Sequence, residues 1–207
     1  GTTKKYTLNV PIPSSLLSTK LKIVEGSNVL LEQYIRLGTP IAENVMLAGV
    51  ISDSAGSLNY LKGFSVDNMG SSMGMSIVNL NEENFPADID VMKSFNILFM
   101  NDFDSSKLKE EQYEVLKEWV KQGGFLIIGA GPNGTKTLSI FEDEFITGRK
   151  GELTKVSGKA LGQFVGVDFN EVMEIMDIKL ENGITLLKHD DIDLAQYVSK
   201  GRGRILI

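Results

Sequence analysis

The stretch from Phe95 to Gly134 constrains this chain more than any other. Phe95-Asn-Ile-Leu-Phe-Met100 is an apolar run closed by Asn101-Asp-Phe-Asp104. An amphipathic segment from Ser106 to Lys121 follows. Leu108, Val115, Leu116 and Trp119 share one face of it, with Glu110, Glu114, Lys117 and Lys121 mostly elsewhere. Ser105 or Ser106 supplies a capping hydroxyl at its start, and Gly123-Gly124 stops it. Phe125-Leu-Ile-Ile128 is a second apolar run, and Gly129-Ala-Gly-Pro-Asn-Gly134 is the loop after it. Strand, helix, strand and glycine-rich loop make a βαβ unit, which requires parallel strands and a right-handed crossover. Parallel strands are covered on both faces, so they carry apolar runs instead of alternation.

Other segments join this unit. Val45-Met-Leu-Ala-Gly-Val-Ile51 is another two-sided strand, followed by Ser52-Asp-Ser-Ala-Gly56 and a short helix around Leu58, Tyr60 and Leu61. Met75 to Leu80 is a strand. Val172 to Leu180 alternates, and Tyr197 to Ile207 makes a hairpin turned at Gly201 to Gly203. Upstream, Tyr6, Leu8 and Val10 alternate with polar residues until Pro11 and Pro13 stop the ladder. Leu21, Ile23 and Val29 to Ile35 supply further strands. Residues 1–40 are therefore expected to be a β appendage or the tail of an upstream β domain, and 41–207 an α/β domain. A chain that opens on Gly1 without Met and stops at Ile207 inside an apparent strand reads as an excised segment, truncated at its C-terminal end.

Composition removes whole classes of chemistry. The 207 residues contain no cysteine, so thiol catalysis, disulfides and cysteine-based zinc sites are absent. A net charge of -6 with scattered Lys and Arg, the longest cluster being Arg202 and Arg204, argues against a nucleic-acid partner. No apolar run approaches the ~18 residues of a membrane span, so this segment makes no direct membrane contact.

Several motifs carry possible chemistry. Asp53, Asp102 and Asp104 fall after the carboxyl ends of two parallel strands, where open α/β sheets bind ligands. Carboxylates there hold Mg²⁺, Ca²⁺ or a polar ligand, but Asp in turns and at helix starts more often caps backbone N–H groups. Gly129-x-Gly131-x-x-Gly134 follows a strand as a dinucleotide fingerprint does. However, Pro132 interrupts it, and the acidic partner ~20 residues on is missing. A tight turn accounts for it better. His189 is the only histidine and sits in a charged run, which favours a surface role. Met69, Met73 and Met75 lie among glycines and serines as a loop, and Gly148-Arg-Lys-Gly151 is expected to be an exposed loop. The pattern G-x-S-x-G does not occur, so no Ser-His-Asp hydrolase is supported.

The segments Leu47 to Asp53, Leu58 to Leu61, Asn96 to Asp102, Glu111-Gln112, Trp119-Val120 and Gly123 to Gly129, with Lys200 to Ile207, resemble a known family. They are similar to class I glutamine-amidotransferase-like domains found in large membrane-anchored proteins of Gram-positive bacteria. The resemblance implies a flavodoxin-like three-layer α/β sandwich with a mostly parallel sheet, placed outside the cytoplasm. The nucleophile elbow of that family corresponds to Gly129-Ala130-Gly131, which carries neither Cys nor a hydroxyl. Glutamine hydrolysis needs such a nucleophile. The expectation is therefore a non-catalytic binding or scaffolding module of a larger surface protein, with an unidentified ligand or protein partner. Its candidate ligand-binding residues are Asp53, Asn101, Asp102, Asp104, Gly129, Gly131 and Asn133. No catalytic residue, metal ligand set or cofactor is assigned. The alternative is a hydrolase or transferase that uses the acidic residues, with or without a metal.

Overall fold

The computed structural model describes residues 3–4, 16–38, 40–42, 44–54, 56, 58–68, 71–142 and 145–207. The expected strand at Tyr6 to Val10 and Met69 lie outside them. The chain divides into two compact units, Gly1–Val45 and Met46–Ile207.

In the first unit β1 (Ser18–Glu25) and β2 (Asn28–Arg36) pair as an antiparallel hairpin. Gly26 at φ 58° supplies the left-handed residue of the turn. Lys20 and Lys22 both reach Glu32 across the ladder, at 2.7 and 3.3 Å.

The second unit is mixed α/β. Its strands are β3 (Val45–Ile51), β4 (Ser65–Asn68), β5 (Ser71–Leu80), β6 (Ile97–Met100) and β7 (Phe125–Ile128). They are followed by β8 (Gly148–Ser157), β9 (Val172–Leu180), β10 (Ile184–His189), β11 (Ile192–Lys200) and β12 (Gly203–Leu206). Eight of these form one sheet in the order β10-β11-β12-β7-β6-β3-β5-β4. Its centre, β12-β7-β6-β3, is parallel, while β10-β11-β12 at one side and β5-β4 at the other are antiparallel. β8 and β9 pair separately. Gln196 of β11 holds them to the sheet, accepting from Leu180 N–H at 2.9 Å and donating to the Ile178 carbonyl at 2.5 Å.

Helices are few among the described residues: α1 (Ile89–Met92), α2 (Glu110–Lys121), α3 (Gly134–Thr137) and α4 (Lys159–Val165). Only α2 exceeds two turns. Its inner face, Tyr113, Leu116, Trp119 and Val120, is buried in the main core with Leu98, Met100, Leu126 and Ile205. Trp119 donates its indole N–H to the Phe95 carbonyl at 3.3 Å.

Three sequence expectations need correction. The helix starts at Glu110, not Ser106, because residues Ser105–Lys107 form a separate 3-10 turn. Asp104 caps that turn by accepting from Ser106 N–H. Gly148 to Gly151 is not a loop but the start of β8, where Arg149 and Lys150 pair with Lys179 and Ile178. Met73 and Met75 belong to β5, and Met75 is buried beside Ala48 and Leu61.

Candidate functional site

The register of the central strands decides where the loop residues meet. Ile51 of β3 pairs with Met100 of β6, and Met100 pairs with Ile128 of β7. Three parallel strands thus end level, and the residues after them share one edge. Backbone bonds continue the ladder into the loops: Asn101 N–H to the Ile51 carbonyl at 3.1 Å, Gly129 N–H to Met100 at 2.9 Å, and Asp53 N–H to Asp102 at 2.9 Å.

At this edge two carboxylates and two ammonium groups form a closed network. Asp53 receives Lys107 Nζ at 3.0 Å and Lys136 Nζ at 3.3 Å, together with the Asp104 backbone N–H at 3.3 Å. Asp102 receives the same Lys136 Nζ at 3.0 Å, Ser54 Oγ–H at 2.8 Å and Asn133 Nδ2–H at 2.6 Å. Partial burial pushes the Asp53 carboxyl up, but the bonds from Lys107, Lys136 and Asp104 outweigh it and hold it below the ordinary carboxylate value. Asp102 is held low first by Lys136 and then by Ser54, with Asn133 adding to them. Lys136 and Lys107 are correspondingly raised, chiefly by Asp102 and Asp53.

The backbone is shaped to make this network. Asp102 has φ 48°, a left-handed conformation that costs a non-glycine residue about 1–2 kcal/mol. Asp is among the residue types that adopt it most readily. Asp104 stands apart: its carboxylate caps the next turn, accepting from Ser106 N–H at 3.2 Å and Ser106 Oγ–H at 2.6 Å.

The glycine loop after β7 contributes a cleft. Asn101, Asp102, Gly129, Gly131, Pro132 and Asn133 line a hollow of about 180 Å³. A Cβ at Gly129 would collide with Asn101 Oδ1, so glycine there lets the Asn101 amide lie across the loop. At Gly131 the nearest heavy atom would be 3.9 Å away, so no packing demand fixes that glycine. The motif is a turn in which Gly129 makes room for Asn101, consistent with the tight-turn reading.

The structure therefore gathers Asp53, Asn101, Asp102, Gly129, Gly131 and Asn133 at one edge and assigns Asp104 to capping. Sequence reasoning missed Lys107 and Lys136. They close the network from 54 and 83 residues away from Asp53, a distance at which no local pattern announces them. It also missed a neighbouring hollow of about 210 Å³, lined by Ser52, Ser54, Leu58, Asn79 and Asn81, across Ser54 from the first. His189 sits at the end of β10, 3.7 Å from Asp190.

Chemically, the network is balanced: two negative charges meet two positive ones. A divalent ion seated between Asp53 and Asp102 would have to displace the Lys136 ammonium, which already bridges both carboxylates. Among the described residues no group of three or more His, Asp or Glu side chains is arranged to hold a metal. Neither carboxyl has the raised pKa of a general acid.

No protein-family model matches the chain, and no curated protein sequence does. Solved structures resemble it to different degrees. The cytoplasmic protein STM3548 from Salmonella typhimurium matches at a TM-score of 0.50 and 12% identity, over 91% of this chain and 82% of that one. The cytoplasmic protein STM1381 from Salmonella typhimurium LT2 matches at 0.48 and 11% identity, over 78% and 86%. The GH42 β-galactosidase Gan42B matches at 0.40 and 10% identity, over 78% of this chain and 27% of that one. At such identity the likeness to STM3548 is one of fold alone. STM3548 is named a cytoplasmic protein, which corrects the extracytoplasmic expectation, and a likeness of fold puts no compartment in its place. Among the described residues no helix is long and apolar enough to cross a membrane.

Proposed function

We propose that this chain is a non-catalytic binding or scaffolding module of glutamine-amidotransferase-like, flavodoxin-like type. In this reading its carboxyl-edge cleft seats a small, uncharged polar ligand or a polar loop of a partner. The observation that carries it is the Asp53–Lys136–Asp102 bridge with Lys107. Carboxylates tied to ammonium groups and held below their ordinary pKa neither abstract nor deliver a proton near neutrality. The elbow position is Ala130, so no side chain there attacks a carbonyl.

What remains around the cleft suits recognition. The Asn101 and Asn133 side chains border it, and Gly131 leaves its backbone open to close approach. The left-handed Asp102 adds support, since strained residues concentrate at functional sites. The hydrolase or transferase reading has no comparable observation behind it.

Thermal unfolding against a panel of amino acids, sugars, nucleotides and divalent metals tests the proposal. A ligand at 100 times its dissociation constant stabilises by about 2.7 kcal/mol. For a domain of this size that raises Tm by about 5–10 °C. The expected result is a shift from an uncharged polar compound that Asp102→Ala abolishes. Turnover of any substrate that Asp53→Asn or Asp102→Asn removes would overturn the non-catalytic reading.

A further inference from the structure

A second hollow lies at the opposite edge of the sheet. Lys93, Phe95, Asn96, Trp119, Gln122 and Arg202 border a volume of about 370 Å³, roughly twice that of the carboxyl-edge cleft. Four elements build it: the end of α1, the turn before β6, the end of α2, and the β11–β12 turn.

Its walls are fixed before any ligand arrives. Asn96 brackets β3, its N–H donating to the Leu47 carbonyl at 2.9 Å and its Oδ1 accepting from Leu47 N–H at 2.7 Å. A Cβ at Gly124 would collide with the Trp119 indole, and one at Gly203 with the Val120 carbonyl. Gly201, at φ 63°, lets the turn approach Lys121. Arg202 is therefore presented from a tightly docked turn.

The hydrogen-bonding capacity left over is lopsided. Asn96 has spent its oxygen on Leu47, which leaves the amide N–H₂ as donor. Gln122 gives its Nε2–H to Glu118 at 2.6 Å, so its oxygen is the one acceptor of this group. Arg202 makes no ion pair among the described residues, and its fork of five donors suits a carboxylate or phosphate. Lys93 adds a second cation, 3.3 Å from Asp90. Asp90 and Glu118, the carboxylates bonded to Lys93 and Gln122, do not border the hollow.

A helix C-terminus ordinarily repels anions. Here its last-turn carbonyls are already covered. Glu118 accepts from Gln122 N–H, Trp119 from Gly124, Val120 from Gly123 and Lys121 from Arg202, all at 2.9–3.0 Å.

We propose that this hollow binds a small anion, a carboxylate or a phosphate, with Arg202 as the principal recognition group and Lys93 and Asn96 as secondary donors. The site is independent of the carboxyl-edge cleft.

Trp119 is the only tryptophan in the chain and borders this hollow, so the protein carries a single indole reporter beside the site. The intact chain is titrated with inorganic phosphate and, separately, citrate at constant ionic strength. Fluorescence is preferred to Tm, because phosphate raises Tm generically by exclusion from protein surfaces. The expected result is a saturable change with at least one probe. Its midpoint weakens at least about tenfold in Arg202→Ala, the loss of one charge-assisted bidentate contact. Asp102→Ala leaves the midpoint unmoved, which separates this site from the other. Lys93→Ala, at an exposed position, weakens it severalfold and keeps the test open should Arg202→Ala fail to fold. A titration without saturation for either probe, or a midpoint indifferent to Arg202→Ala and Lys93→Ala, overturns the proposal.

Discussion

Replacing Gln112 by Met should destabilise the second unit severely, although Gln112 borders neither cleft. Gln112 is buried on α2, and its side chain makes three bonds, each of 2.9 Å. Its Nε2 donates to the carbonyls of Glu82 and Phe85, and its Oε1 accepts from Lys109 N–H at the start of the helix. Met conserves volume and removes all three. The Phe85 carbonyl is then left buried and unpaired, at about 1–3 kcal/mol, and the part-buried Glu82 carbonyl loses about 0.5–1.5 kcal/mol. Losing the cap on Lys109 N–H adds about 1 kcal/mol. The sum is about 2.5–5.5 kcal/mol, or a fall in Tm of about 10 °C for a domain of this size. Urea unfolding followed by Trp119 fluorescence measures it, since that residue lies in the same unit. Gln112→Glu is the control. Ionised, it faces two carbonyl oxygens; protonated, it donates to one of them, so its stability should rise as pH falls from 7 to 5. A loss below 1 kcal/mol for Gln112→Met would refute the reasoning.

Three further predictions follow from the carboxyl edge. Because Asp53 and Asp102 are held below their unfolded pKa, their contribution is complete above the ordinary carboxylate value and disappears as pH falls through the folded one. Urea midpoints should drop from about pH 5 downward, and the Asp53→Asn, Asp102→Asn double variant should flatten that limb. Gly131→Ala should change stability by less than about 1 kcal/mol, and Gly129→Ala should cost more than Gly131→Ala because the Asn101 amide must turn aside, as calorimetry will show. EDTA should leave Tm unchanged, and Mg²⁺ or Ca²⁺ should give no saturable stabilisation; a saturable shift would dissolve the charge-balance argument.

Much of the fold was legible because parallel strands advertise themselves as apolar runs. β3 and β7 begin and end where the apolar runs place them, and β9, paired antiparallel, where the alternation does. The start of α2 was not, because Leu108 is buried from an extended residue between the 3-10 turn and the helix. Its apolar side chain imitates one more helical turn. The strand character of Gly148 to Gly151 comes from pairing with β9, which glycine and charge content hide. Likewise β12 was visible as half of a hairpin, but its insertion beside β7 is a long-range parallel pairing with no local signature. At the site, sequence order placed the Asp and Asn residues at strand ends and so brought out the edge itself. The lysines that decide its chemistry arrive from a 3-10 turn and a four-residue helix, and only tertiary structure brings them there.

The most direct test of the central claim is a ¹H–¹⁵N titration of the intact chain with whichever uncharged polar compound most raises Tm. The account predicts shifts concentrated at Asn101, Asp102, Gly129, Gly131 and Asn133, with the ligand recovered chemically unchanged. Shifts that spare this edge, or a ligand converted to product, would contradict it.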